Sequence, residues 1–290
     1  MRRTPRSDTA RRSKPTSKKT KVVNAAITVA AALLVLGVCA ATVLGTQAQK
    51  RNADAASSYA PATVLKPIGQ ATSFASFSDA MQDVKDNSRP WSMTVLGDST
   101  GNEPDEWVYL VTEELAAATG RPAVIHNWSS ESHSYEGSNR MEGDGEPIIV
   151  WNGSASGESA AYTLEHRSTL SPGSPNLVVI NHGHNHATSA EASSQIATLA
   201  GRVRNASEDP PALAITLQNP RTGGQENKHA NVIRHLREDW TDREDVTVLD
   251  VFAAFDKADN LERLVHEDGT HPTEAGQRLW ADTVLDVMQF

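Results

Sequence analysis

From residue 92 onward, short apolar runs alternate with longer segments in which apolar residues recur every three or four positions. The runs at 92–97 (SMTVLG), 123–128 (AVIHNW), 177–181 (LVVIN), 212–217 (ALAITL) and 246–250 (VTVLD) have the length and composition of buried strands. Between the first two, "DEWVYLVTEELAAAT" sets Trp107, Leu110, Val111, Leu115 and Ala118 on one helical face, and Gly120 with Pro122 ends the helix. Residues 188–204, 226–239 and 273–288 read as further helices, and residues 76–90 as a short helix leading into the first strand. Strand and helix alternating five times predict a parallel sheet of about five strands covered on both faces, with reactive groups at the carboxyl ends of the strands. No fixed-period repeat is visible, which argues against a solenoid or propeller.

Ahead of this pattern the chain changes character. Residues 1–21 carry nine Lys or Arg against one Asp, whereas the remainder carries 18 basic and 35 acidic residues, a net charge of −17. A body this acidic is a poor partner for a phosphate backbone, so nucleic acid is not expected. Residues 22–46, "VVNAAITVAAALLVLGVCAATVLGT", run for 25 positions without a charge, enough for a helix spanning a hydrocarbon core. The basic flank before them places the N-terminus in the cytoplasm and the body outside, on a single-pass membrane anchor. The rival reading is a cleaved secretory signal with a small-residue cut site ending at Ala48, which would release the body. Residues 47–75, rich in Ala, Ser, Thr and Pro, read as a linker, and residues 76–290 as the folded domain. Cys39, the only cysteine, falls inside the apolar span, which excludes thiol catalysis and cysteine-bound zinc from the body.

Candidate chemistry sits at the strand ends. "TVLGDSTGN" stops a strand on Gly97-Asp98-Ser99, where a serine is placed to attack an electrophile if a base accompanies it. "HEDGTHPTEAG" near the C-terminus supplies Asp268 and His271 three residues apart, a spacing that lets the carboxylate hold one imidazole nitrogen while the other faces the serine. The same residues also suit a turn followed by helix initiation. Donors for an oxyanion are offered by Asn185 in "LVVINHGHNHA" and by the backbone at Gly153 or Gly157 in "IVWNGSASGESA". His182, His184 and His186 alternate as zinc ligands on a strand would, although Gly183 and Asn185 imply that the strand has already ended, so no metal is expected. Trp128 and Trp151 offer either a platform for a sugar ring or core filling.

"GDS" at 97–99, "NGSASGES" at 152–159, "GHN" at 183–185 and "DGTHP" at 268–272 together resemble, in order, the sequence blocks of the SGNH (GDSL-type) hydrolases, over roughly residues 92–288. The resemblance implies a three-layer α/β/α fold of flavodoxin-like kind, the SGNH hydrolase fold, with no cofactor and an ester-hydrolysing mechanism through an acyl-enzyme. It implies Ser99 as nucleophile, His271 as base, Asp268 as its orienting partner, and an oxyanion hole from the Ser99 backbone N–H, Gly157 and Asn185. Three departures stand out. Thr100 replaces the usual Leu, and His186 replaces the Asp that usually follows the third block. The interval from Ser99 to Gly157 is long, which marks residues 131–149 as an inserted excursion, with Gly153 and the Ser129–Ser130 backbone as fallback donors. An extracytoplasmic position suits O-deacetylation of envelope glycans. A lipase or broad carboxylesterase and an O-acyltransferase share the same triad and remain open, as do a metal-dependent hydrolase and an inert binding module.

Overall fold

The computed structural model describes residues 73–290, so the basic segment, the 22–46 span and nearly all of the linker lie outside the described residues. Among the described residues no helix is long and apolar enough to cross a membrane. The domain starts slightly earlier than expected: Phe74 is buried, and the Ala75 N–H bonds to the carbonyl of Pro210, so the end of the expected linker is part of the fold.

The run before Gly97 forms β1 (Trp91–Gly97), the middle strand of a seven-stranded sheet. In chain order it is preceded by α1 (Phe77–Asp86) and followed by α2 (Trp107–Thr119), β2 (Ala123–Ser129), β3 (Ser134–Met141), β4 (Ile148–Asn152) and α3 (Ala160–Leu170). Then come β5 (Leu177–Asn181), α4 (Ser189–Arg204), β6 (Ala212–Thr216), α5 (Glu226–Trp240), β7 (Thr247–Leu249), α6 (Val251–Asp256) and α7 (Glu274–Met288). The spatial order is β3-β2-β4-β1-β5-β6-β7, parallel throughout except for β3, which runs antiparallel to β2.

This corrects the expected sheet of about five parallel strands. Without β2 and β3, the remaining order β4-β1-β5-β6-β7 is the flavodoxin-like 2-1-3-4-5. The added element is therefore the whole β2–β3 hairpin, not residues 131–149, and residues 148–149 belong to the central strand β4. The hairpin lies at the sheet edge because β4 occupies the place beside β1: Val95 pairs with Asn152 of β4, which in turn pairs with Asn127 of β2.

Alternation along the strands builds two cores. Trp91, Met93, Val95, Ile125, Val150 and Val179 face a layer formed by α1, α2, α6 and α7. Leu96, Val178, Ile180, Leu213 and Ile215 face α3, α4 and α5. The α2 helix ends as expected at Gly120, whose φ of 68° is left-handed. The result is three layers with the carboxyl ends of six parallel strands on one edge of the sheet.

Candidate active site

Ser99 follows β1 directly. Gly97 ends that strand because Ser154 Oγ would lie 2.9 Å and Asn181 Cβ 3.2 Å from any Cβ at this position, so only glycine lets β1 pass between its neighbours. The Asp268–His271 segment is a tight hairpin held by bonds from His266 N–H to the His271 carbonyl (2.8 Å) and from Gly269 N–H to the His266 carbonyl (2.9 Å). Gly269 has φ +72°, and the Thr222 carbonyl oxygen would lie 2.5 Å from a Cβ there. Thr273 caps α7 through the Gly276 N–H, so the helix begins one residue later than the periodicity predicts.

The two segments meet. His271 Nε2 lies 2.8 Å from Ser99 Oγ, and His271 Nδ1 lies 2.7 Å from Asp268 Oδ2. Asp268 Oδ1 accepts from the backbone N–H groups of Thr270 (2.8 Å) and His271 (3.0 Å). Partial burial alone would raise the Asp268 carboxyl, but the bonds from the His271 side chain and these two N–H groups bring it down to about 2. An ionised carboxylate only accepts, so Nδ1 carries the hydrogen; in the neutral imidazole Nε2 is then the acceptor, and the Ser99 hydroxyl donates to it.

In the second block, Gly157 has φ +75° and open space where a Cβ would lie, and its N–H and that of Ser99 make no bond to other described residues. Asn185 Nδ2 donates to the Glu158 carbonyl at 3.0 Å, which brings the third block against the second. The fallback donors are engaged in the sheet. The Gly153 N–H is committed to the Val95 carbonyl (2.8 Å), and Ser129 pairs with Ser134 on the outer hairpin.

Asp98 and Thr100, on either side of Ser99, are fully buried. Thr100 does more than pack: its N–H and Oγ1 both donate to Asp98 Oδ1, at 3.1 and 2.8 Å, and its Oγ1 accepts from Asn181 Nδ2 at 3.0 Å. Burial pushes the Asp98 carboxyl up, with the bonds from Gln218 and Thr100 pulling the other way. Gln218 and Asn219, just after β6, are site-supporting residues that the sequence reading missed. Their only signal is a pair of amides between the apolar run ALAITL and Pro220.

The three alternating histidines separate because β5 ends at Asn181. His182 Nε2 meets Thr163 Oγ1 at 2.8 Å, His184 Nε2 meets the Asn219 carbonyl at 2.9 Å, and His186 Nδ1 meets the Gly183 carbonyl at 3.3 Å. Burial keeps all three neutral, lowering His182 to about 3; His229, whose ring lies 4.3 Å from that of His184, is lowered to about 4, again chiefly by burial. Among the described residues, no group of three or more His, Cys, Asp or Glu side chains could hold a metal ion.

Trp128 and Trp151 belong to an aromatic cluster and are both part-exposed. Trp128 meets Tyr135 edge-on at 5.2 Å and donates to Tyr162 Oη at 3.0 Å, and Trp151 stacks on His126 at 4.1 Å. A cleft of about 870 Å³ opens beside Pro272, lined by Glu103, Glu106, Leu110, Glu274 and Arg278 among others, and burial raises the Glu106 carboxyl to about 7.

The profile of the GDSL-like Lipase/Acylhydrolase family matches residues 95–279. No curated protein sequence matches the chain. Among solved structures, a lipase/acylhydrolase from Enterococcus faecalis superposes with a TM-score of 0.51 at 17% identity, over 69% of this chain and 95% of that one. A two-domain esterase active on acetylated mannans superposes with a TM-score of 0.52 at 15% identity, over 73% of this chain and 52% of that one. Likeness at these identities speaks for the fold, and the profile match over most of the chain speaks for the family. The chain belongs to the GDSL-like lipase/acylhydrolase family, and it is an SGNH-type serine ester hydrolase.

Proposed function

We propose that Ser99 is the nucleophile of an esterase that removes small acyl groups, acetyl first among them, from hydroxyls of cell-envelope glycans. The observation that carries the reading is the unbroken hydrogen-bond chain from Ser99 Oγ through His271 to Asp268. In this mechanism Ser99 attacks the ester carbonyl while Nε2 of His271 takes its proton. The tetrahedral oxyanion is held by the N–H groups of Ser99 and Gly157 and by the second Nδ2 hydrogen of Asn185. Collapse of the intermediate passes the proton from His271 to the departing alcohol and leaves an acyl-serine, which water, activated by the same imidazole, then hydrolyses. Asp268 keeps its charge throughout and fixes the ring.

The mannan-active esterase that shares the fold acts on an acetylated polysaccharide, which agrees with this class of substrate. The basic N-terminus and the uncharged 22–46 span support display of the domain outside the cytoplasm on a membrane anchor. The test compares p-nitrophenyl esters of increasing acyl length, with wild type and Ser99→Ala side by side. Ser99-dependent hydrolysis that falls steeply beyond acetyl is expected. A preference for long chains would shift the reading to lipids, and activity indifferent to Ser99 would overturn it. Protease digestion of intact cells carrying the full chain tests location, an external domain being degraded and an internal one protected.

A further inference from the structure

The loop after β6, "LQNPRT" at 217–222, carries none of the recognised sequence blocks, yet it touches three of the segments that make the site. Gln218 is fully buried and uses both ends of its amide. Its Oε1 accepts from the His184 N–H at 2.8 Å, one residue before Asn185, and its Nε2 donates to Asp98 Oδ2 at 3.0 Å, one residue before Ser99, and to the Asn181 carbonyl at 3.2 Å. Asn219 donates from Nδ2 to the Thr270 carbonyl at 3.1 Å, one residue before His271, and the Thr222 N–H donates to the Gly269 carbonyl at 2.9 Å. Gly183 leaves the room this requires, since a Cβ there would lie 2.8 Å from Gln218 Oε1.

We propose that residues 218–222 are a positioning element of the active site, with the Gln218 amide setting the spacing between the nucleophile turn at Asp98–Ser99 and the oxyanion turn at His184–Asn185. The inference rests on Ser99 being the nucleophile. A side-chain amide accepts at one end and donates at the other whatever the pH, as a carboxyl does only when protonated. Thr100 supplies both donors to Asp98 Oδ1, and among the described residues Gln218 supplies the side-chain donor to Oδ2. Without it a buried carboxylate oxygen is left uncovered, and the turn that carries Ser99 relaxes toward another donor. Displacements of about 1 Å in a reacting constellation cost on the order of 10²-fold in rate. Gln218 touches no substrate in this scheme, so the loss falls on turnover and not on binding.

The experiment measures kcat and KM on p-nitrophenyl acetate for wild type, Gln218→Met and Gln218→Glu between pH 5 and 8, with Ser99→Ala as the reference. Gln218→Met keeps the volume and removes all of these side-chain bonds; its kcat should fall on the order of 10²-fold, with KM changed less than about threefold. Gln218→Glu faces the Asp98 carboxylate with a second acceptor and regains a donor only when protonated. Its activity relative to wild type should therefore rise as pH is lowered. The charged or titratable groups facing position 218 are Asp98 from the β1 turn, His184 from the loop after β5, His229 from α5 and Arg221 from its own loop.

Wild-type kcat in Gln218→Met, or a loss carried by KM, would overturn the proposal. If Gln218→Met does not fold, the Gln218→Glu ratio decides, and a ratio independent of pH overturns it. Wild-type activity in Ser99→Ala would instead overturn the underlying reading of the nucleophile, a failure distinct from the first.

Discussion

On one flank of Ser99, Asp268 and His271 stand three residues apart in a hairpin with their side chains 50% and 38% exposed, held mostly by bonds within the hairpin and braced by the Asn219 side chain and the Thr222 N–H. On the other flank, Asp98, Thr100, Asn181, His184 and Gln218 are buried and joined across as many as 120 positions of sequence. The proton-transfer groups thus form a local, water-accessible unit, and a dispersed, dry unit fixes where the nucleophile stands relative to it. Removing a group from the first should stop chemistry at little cost in stability. Removing one from the second should cost stability as well as rate.

The largest test of this contrast is Ser99→Ala, for which kcat should fall on the order of 10⁶-fold, by analogy with triad nucleophiles elsewhere, with Tm unchanged. Next comes Asp268→Asn. The Asn side chain keeps an Oδ1 acceptor for the Thr270 and His271 N–H groups but presents an amide to His271 Nδ1, so the hydrogen moves to Nε2, where it blocks proton transfer. A loss of about 10⁴ in kcat with a native unfolding curve is expected; a large fall in stability would show that the Asp268 carboxylate holds the fold as well as the imidazole.

A smaller effect, on the buried flank, is expected for Thr100→Val. It removes the hydroxyl that donates to Asp98 and accepts from Asn181, and should cost about 2 kcal/mol in urea unfolding while reducing kcat far less than Asp268→Asn. Stability unchanged within 0.5 kcal/mol would show that the network is not under tension.

The most distributed effect is on pH. His182 and His229 have native values near 3 and 4, below the ordinary 6.5, so between these limits the unfolded chain binds more protons than the native one. Stability should therefore fall as pH drops below about 6.5 and continue to fall to about 4 and below. The Asp268 carboxyl, depressed to about 2, contributes stability that is present above its ordinary value and lost only as pH falls toward 2. A Tm that stays flat from pH 7 to 4 would contradict the neutral, buried state of the histidines.

The same contrast explains what the sequence made legible. Asp268, Gly269 and His271 can be read because their geometry is local, and β1, β5 and β6 because fully buried strands are uniformly apolar. Ile148–Asn152 is just as apolar, but no helix separates it from the hairpin, so the broken alternation hid the central strand β4. Ser134–Met141 has neither apolar alternation nor a buried face, and α3, AAYTLEHRSTL, has only a weak stripe. Gln218 and Asn219 look like ordinary loop residues, because their importance lies in partners 34 to 120 positions away.

The borders of the sheet carry one more consequence. A parallel sheet whose last strand is long, flat and apolar invites a strand from a second molecule to extend it. Here one border, β7, is only three residues long, and the other, β3, exposes Glu136 and Arg140, turns at Gly137 with φ +72°, and faces a register shift in β2 between His126 and Trp128. Neither border offers a usable template, so the added hairpin guards the molecule against edge-to-edge polymerisation when many copies are crowded together.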